Sequence, residues 1–272
     1  MQKALHCIRY DLIPNVQRLA RLIRREGIAA AWRKGWPYLK WRLASEIQVR
    51  NLSRIRSVEE RFTKIYEWNF WRAAESASGP GSGMLDTATL RGSLSAMFDK
   101  FGIRTVLDAP CGDFHWMQHV VAETRVAYIG GDIVRPMINQ NTTRYANDRT
   151  RFVHLDITKS PLPKADLWFC RDCFFHLSLD DIFHALQCFV ASGIPYMMAS
   201  SLTGVAGPKN HDILSGDFRA LDLFAAPFAL PADVLFRIDD FAPDQASARE
   251  MCLWSRDQVI ASFVASRAPA TA

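Results

Sequence analysis

The chain has 272 residues, 49% of them hydrophobic and 22% charged, as in ordinary globular proteins, and its length suits one large domain or a domain with an appendage. No stretch approaches the ~20 apolar residues of a membrane span. The N-terminus lacks the apolar core of a secretory signal, and six cysteines without framework spacing read as reduced thiols, so a cytoplasmic location is expected. The net charge of +5 is unevenly spread. Residues 1–72 hold 16 Lys+Arg against 6 Asp+Glu, a balance of +10, and residues 73–272 hold 17 against 22, a balance of −5. This divides the sequence into a basic helical N-terminal region, 1–72, and a mildly acidic body, 73–272.

Residues 12–31 are expected to form an amphipathic helix, with Leu12, Val16, Leu19, Ile23 and Ile28 near helical spacing and Arg18, Arg21, Arg24 and Arg25 between them. Residues 32–43 interleave Trp32, Trp36, Tyr38 and Trp41 with Arg33, Lys34, Lys40 and Arg42. That pattern suits the surface of an anionic membrane, which would put residues 1–56 in peripheral contact with the inner membrane face. It also suits a polyanion, or a helical appendage whose aromatics pack on the body. A further helix is expected over 57–75, with Phe62, Ile65, Tyr66, Phe70 and Trp71 on one side. It ends at Glu75-Ser-Ala-Ser-Gly-Pro-Gly-Ser-Gly83, either a connector or a loop able to approach a ligand closely. A helix over about 86–100 follows, capped by Asp86 or Thr87.

From Arg104 strands and helices alternate. Strands are expected at Thr105–Leu107, Val126–Asp132, Arg151–Asp156, Ala165–Cys170 and Pro195–Ser200, with two late ones at Val234–Ile238 and Glu250–Ser255. Helices are expected near 114–123, 136–145 and 179–191. This alternation implies a parallel sheet covered by helices on both faces.

Ligands bind such sheets at the carboxyl ends of their strands. Three strands in a row are expected to end in acids, Asp108, Asp132 and Asp156. Asp132, 24 residues after Asp108, is placed to accept hydrogen bonds from ribose hydroxyls. The first turn, Asp108-Ala109-Pro110-Cys111-Gly112-Asp113, has no Gly-x-Gly-x-x-Gly to admit a pyrophosphate. Its two acids favour a cation or a donor-rich ligand instead. The ligand expected is a nucleoside without phosphates.

Together, Asp108-Ala-Pro-Cys-Gly-Asp113, Ile129-Gly-Gly-Asp132, Leu155-Asp-Ile157 and Ala165-Asp-Leu-Trp-Phe-Cys-Arg-Asp-Cys-Phe-Phe-His-Leu177 resemble the successive motifs of class I S-adenosylmethionine-dependent methyltransferases. The resemblance covers about residues 62–256. It implies a Rossmann-like, doubly wound, seven-stranded α/β sheet with its last strand antiparallel, behind a helical N-terminal extension. It implies S-adenosyl-L-methionine as cofactor, with the turn from Asp108 through Ala109, Pro110, Cys111 and Gly112 to Asp113 near the methionine part. Asp132 and Ile133 would meet the ribose, Asp156 and Ile157 would frame the adenine, and Cys170 and Arg171 would line the pocket at the end of the fourth strand. The usual turn of the family carries more glycines than this one. A narrower bacterial subgroup also carries Ser/Gly-rich segments like 75–83, which implies that this loop, through Ser82, closes over the cofactor.

Amino-methylating DNA enzymes carry an Asp/Asn/Ser-Pro-Pro-aromatic signature after the fourth strand, where this chain has Cys170-Arg-Asp-Cys173, and no Pro-Cys nucleophile stands there either. Cys170, Cys173 and His176 read as buried thiols and a neighbouring base rather than a metal site. Methyl transfer to a hydroxyl requires a proton acceptor. The candidates are His176 after the fourth strand and His211 in the polar loop 209–219, with Asp172 or Asp217 assisting. Phe224 and Phe228 either wall the acceptor pocket or pack in the core. The reading is an S-adenosylmethionine-dependent O-methyltransferase acting on a small molecule or saccharide, with nucleic acid disfavoured as a partner. The alternatives are RNA or protein methylation and a non-catalytic cofactor-binding module.

Overall fold

The computed structural model describes residues 51–71, 73–203, 210–240 and 248–267. The expected helix at 12–31, the aromatic-basic stretch at 32–43 and most of the proposed membrane-contacting region 1–56 lie outside the described residues. Among the described residues no helix is long and apolar enough to cross a membrane.

The elements in order are α1 (Val58–Glu67), α2 (Ala88–Phe101), β1 (Thr105–Asp108), α3 (Met117–Glu123), β2 (Ala127–Asp132), α4 (Arg135–Tyr145), β3 (Thr150–His154), β4 (Leu167–Cys170), α5 (Leu179–Ser192), β5 (Tyr196–Thr203), β6 (Phe236–Asp239), β7 (Ala248–Ser255) and α6 (Arg256–Arg267). The seven strands form one sheet in the order β3-β2-β1-β4-β5-β7-β6. Strands β1 to β5 are parallel to one another, and β7 runs antiparallel between β5 and β6. The direction of winding reverses between β1 and β4, which makes the carboxyl ends of these two strands the expected ligand crevice.

The strands read as apolar runs because both sheet faces are buried. Leu107, Trp168, Cys170, Met197, Cys252 and Trp254 point into one core with Ile182, Leu186 and Phe189 of α5 and Val259 of α6. Their neighbours Val106, Leu167, Phe169, Met198, Met251 and Leu253 point into the other, against α2 and α3. Helix ends follow local chemistry. Ser57 caps α1 by accepting from the Glu60 amide, Ser178 caps α5 through the Asp181 amide, and Gly102 (φ 64°) and Gly193 (φ 75°) close α2 and α5 in the left-handed conformation.

Several boundaries move. Thr87 precedes α2 but its hydroxyl donates to the Gly83 carbonyl rather than capping the helix. α1 stops at Glu67, well short of 75. α3 begins at Met117, not Phe114, because Phe114 stands at φ 59° in the turn. β3 ends at His154, so Asp156 lies in the following turn. Helix α6 was not foreseen.

Helix α1 is built into the body. The buried Arg61 donates to the carbonyls of Leu52, Ile55 and Ser215. Its stem passes Gly216 so closely that a Cβ there would lie 2.8 Å from Arg61 Cδ. Ile65 is 2% exposed. Residues 51–71, placed by charge with the N-terminal region, thus pack as part of the α/β body.

Candidate active site

The turn after β1 is shaped from its acids outward. Asp108 accepts from the Tyr128 hydroxyl at 2.6 Å. Burial pushes its carboxyl up to about 7, against the pull of that hydrogen bond. Asp132, at the end of β2, accepts from the Gly112 amide (3.1 Å) and the Val134 amide (2.9 Å), and burial still raises it to about 6. Asp156 is opposed by burial, but bonds from the Thr158 hydroxyl (2.6 Å), the Thr158 amide and Lys159 Nζ bring its carboxyl below the ordinary range.

The acid that departs from a glycine-rich turn has a structural task. Asp113 Oδ1 accepts from the Ser76 and Ser78 hydroxyls, and Oδ2 from the Ala77 amide at 2.7 Å. The Ser78 hydroxyl also accepts from the Asp113 amide. Glu75 accepts from the Met84 amide and meets His115 Nε2 at 3.1 Å. Arg171 donates to the Gly81 carbonyl. The Ser/Gly segment is therefore fastened at both ends and in its middle over the turn after β1. Asp113, expected to meet a ligand, spends both oxygens on holding this loop.

Behind the loop lies a four-residue ion network. Arg171 grips Asp240 through Nε (2.8 Å) and Nη2 (3.1 Å). Arg249 donates from Nη1 to Asp172 Oδ2 at 2.8 Å and from Nε to the Asp240 carbonyl. Burial opposes the charge on Arg171, but Asp172 and Asp240 outweigh it and hold the guanidinium above its ordinary pKa. Asp172, expected to assist a base, is thus an ion-pair partner. It stands at φ 50° and its amide donates to the Ser200 hydroxyl.

These groups surround one cavity of about 430 Å³. It is lined by Asp132, Ile133, Val134, Met137, Leu155, Asp156 and Ile157, and by the aromatic rings of Phe62, Tyr66, Trp71, Phe175 and Phe218 with His176. Asp108, Pro110, Cys111, Gly112, Asp113, Ser82, Arg171 and Asp172 also line it.

His176 is in a single turn of 3₁₀ helix after β4. Its ring rests against Trp71, centroids 4.6 Å apart, and Phe218, 5.6 Å. Nδ1 lies 2.9 Å from the Asp217 carbonyl oxygen. A carbonyl only accepts, so Nδ1 carries the proton and Nε2 is the basic nitrogen of the neutral ring. Burial lowers the imidazole pKa and keeps it neutral.

Four expected site residues do not reach the cavity wall. Strand alternation turns Cys170 into the core, and the fully buried Ala109 packs in the same cluster. The polar loop near His211 is spent on internal bonds. Asn210 Nδ2 donates to the Asp222 and Ala226 carbonyls, Asp212 accepts from the Leu179 amide at the start of α5, and Arg219 donates to the Leu177 carbonyl. Asp217 acts through its backbone oxygen on His176, and its carboxylate accepts from the Phe218 amide. Phe224 stacks on Trp254 and Phe228 is 2% exposed, so both belong to the core. Cys170 and Cys173 are buried free thiols.

The resemblance implies S-adenosylmethionine, and the cavity fits it. Asp132 keeps lone pairs for ribose hydroxyls after its two amide bonds. Ile133, Val134, Met137, Leu155 and Ile157 offer apolar walls to an adenine. Asp172 Oδ1 and Arg249 Nη2 are buried polar atoms without a hydrogen-bond partner beside the cavity. Sequence reasoning missed Arg249 and Asp240. The available signal was a pair of charges, Arg249 and Glu250, at the start of β7 ahead of its apolar run.

Residues 106–192 match the family model of a methyltransferase domain. The Burkholderia thailandensis 1,6-didemethyltoxoflavin N1-methyltransferase, solved with 1,6-didemethyltoxoflavin and S-adenosylhomocysteine, is similar over 72% of this chain and 86% of its own, at TM-score 0.50 and 17% identity. A Leishmania major S-adenosylmethionine-dependent methyltransferase is similar over 74% and 87%, at 0.52 and 13%. PigF, solved with S-adenosylhomocysteine, is similar over 78% and 68%, at 0.51 and 15%. At these identities the likeness establishes the fold. No curated protein matches the sequence.

Proposed function

We propose that the chain is a class I S-adenosylmethionine-dependent methyltransferase and that it methylates a hydroxyl oxygen of a small molecule or saccharide. The observation that carries this reading is the state of His176. Its Nδ1–H is committed to the Asp217 carbonyl, which leaves Nε2 as a lone-pair base on the cavity wall. The bound cofactor would supply an electrophilic methyl on a sulfonium. Asp132 would hold the ribose hydroxyls, and the loop at 76–82 would shut water out. The aromatic side chains beside His176 would seat the acceptor, and His176 Nε2 would take the hydroxyl proton as the oxygen gains its methyl group.

The test is His176→Gln, assayed with labelled cofactor against a panel of phenols and saccharides. Turnover on the responding acceptor should fall about 10²- to 10⁴-fold, with S-adenosylhomocysteine affinity retained. Unchanged turnover would remove His176 as base.

The saccharide arm of this reading rests on the basic, aromatic stretch within residues 1–56. We place it in peripheral contact with anionic lipid at the inner membrane face of the cytoplasm, where lipid-linked acceptors would be met. Because Arg61 needs the Leu52 and Ile55 carbonyls, the matching variant removes only residues 1–50. It should keep cofactor affinity and lose binding to vesicles containing phosphatidylglycerol. Equal vesicle binding would refute the membrane contact.

A further inference from the structure

We infer that the acceptor is a flat, uncharged aromatic ring carrying the hydroxyl, and that Trp71 and Phe218 select it over saccharides and anionic molecules. This inference rests on the function proposed above and narrows its acceptor to one chemical class.

The surroundings of His176 are aromatic. Its ring meets Trp71 at 4.6 Å and Phe218 at 5.6 Å between centroids, and Phe62, Tyr66 and Phe175 line the same cavity. Phe218 is 40% exposed, so a ring on the cavity wall beside the proposed base still has apolar surface for a ligand to cover. The backbone on both sides of Phe218 is fixed. Before it, the Asp217 carbonyl meets His176 Nδ1, and after it, the Arg219 amide donates to the Phe175 carbonyl at 3.0 Å. Trp71 is backed by the Ser/Gly loop, since a Cβ on Gly79 would lie 3.6 Å from Trp71 Cβ. A flat ring set against these held aromatics gains stacked or edge contact that a puckered or charged molecule does not.

Charge and hydrogen bonding point the same way. Among the described residues that line the cavity the cations are Arg171 and Arg249, and each is held in an ion pair at 2.8 Å, with Asp240 and with Asp172. An anionic acceptor would meet no unpaired cation there, and would face Asp108, Asp113, Asp132, Asp156 and Asp172 on the same wall. A saccharide brings several hydroxyls that lose water on entry and need partners. The lining hydroxyls of Tyr66, Ser78 and Thr158 already donate, to Gln140, Asp113 and Asp156. The base agrees as well. Burial holds His176 below the ordinary histidine range. So weak a base takes a proton more readily from a phenol, near ~10, than from an alkyl hydroxyl close to water's ~15.7.

The experiment measures acceptor binding apart from turnover. The full chain is saturated with S-adenosylhomocysteine and offered 2-naphthol, 6-hydroxy-2-naphthoate or methyl glucoside, with dissociation constants read by equilibrium dialysis. 2-Naphthol should bind at least about tenfold more tightly than the other two. Phe218→Ala should weaken 2-naphthol about 3- to 10-fold, the span of one aromatic contact, and leave S-adenosylhomocysteine affinity unchanged. Phe218→Lys places a cation at a partly exposed position that tolerates it. It should weaken 2-naphthol and tighten 6-hydroxy-2-naphthoate about tenfold, a reversal that a merely structural role would not produce. Retained S-adenosylhomocysteine binding reports an intact fold in each variant. The inference is overturned by naphthoate or glucoside binding as tightly as 2-naphthol. It is equally overturned if the liganded chain does not bind 2-naphthol, or if both Phe218 variants bind the probes as wild type does. Those results leave the cofactor reading standing. Failure of wild type to bind S-adenosylhomocysteine removes the proposed function and the inference with it.

Discussion

Ser78 occupies the space that a side chain on Gly112 would need: a Cβ built on Gly112 would overlap the Ser78 hydroxyl and stand 2.9 Å from Ser78 Cβ. Gly112 also sits at φ 56°, so its lack of a side chain serves both the turn and the loop laid upon it. Gly112→Ala should therefore act at a distance in sequence. It should cost about 1–2 kcal/mol in stability from the left-handed backbone alone and lift residues 76–78. Hydrogen exchange at the Ala77 and Ser78 amides should speed up. Unchanged protection there would show that the loop does not depend on this contact.

Asp113 can be tested separately from the ligand. Asp113→Ala removes the acceptor of the Ser76 and Ser78 hydroxyls and of the Ala77 amide. The loop should become sensitive to limited proteolysis near 76–82, and S-adenosylhomocysteine affinity should fall about tenfold through loss of a preformed cover. Added S-adenosylhomocysteine should restore much of the protection. A variant as resistant as wild type would mean that the Glu75 and Arg171 contacts suffice.

Cofactor binding should be linked to protons. Asp108 and Asp132 are raised to about 7 and about 6, chiefly by burial. Ribose hydroxyls donate to an ionised carboxylate, so binding favours the deprotonated Asp132. Affinity should rise as pH rises through about 6, and below pH 7 binding should release protons, detectable in buffers of different ionisation enthalpy. Asp132→Asn should flatten the dependence. The apo chain should respond oppositely. From about pH 4 up to these raised values the folded state holds protons that the unfolded state has released, so its stability falls as pH rises through that window. Denaturant midpoints across pH 4–8 measure this.

Trp71 should tune His176, the proposed base. Its ring covers His176, and burial is the leading cause of the lowered imidazole pKa. In wild type the acidic limb of the kcat profile should thus fall below the ordinary histidine range. Trp71→Ala admits water, raises the histidine pKa and should move that limb upward, lowering kcat at neutral pH. Trp71→Leu, which keeps apolar cover, should move it less. A limb that stays fixed in both variants would detach the pH profile from His176.

Arg61 ties α1 to the body. Arg61→Met leaves the carbonyls of Leu52, Ile55 and Ser215 without this donor and should destabilise by about 2–4 kcal/mol. Urea unfolding gives the value directly, and a change under 1 kcal/mol would show that packing at Ile65 alone holds the helix.

The sheet was legible because strands buried on both faces must be apolar throughout, and all seven were placed to within a few residues. The place of Asp132 on the cavity wall was legible because it ends a strand at the carboxyl edge of the sheet. What escaped depends on contacts far apart in the chain. Nothing local to Arg249 announces Asp172, 77 residues earlier, and nothing local to Asp113 announces that its partners are Ser76 and Ser78. A charged residue in a motif looks the same whether it faces a ligand or holds a loop. The polar run 209–219 likewise read as a site, although its side chains chiefly fasten turns and cap α5.

Helix α1 and Trp71 line the cavity, and they precede the stretch that matches the methyltransferase domain. On the proposed function, part of the wall that meets the acceptor would thus come from outside the stretch that matches the methyltransferase domain, beside His176 within it. On that reading, exchanging residues 58–71 between relatives should change the range of acceptors. Chimeras spliced at the Ser/Gly loop are accordingly the natural place to look for new acceptor ranges.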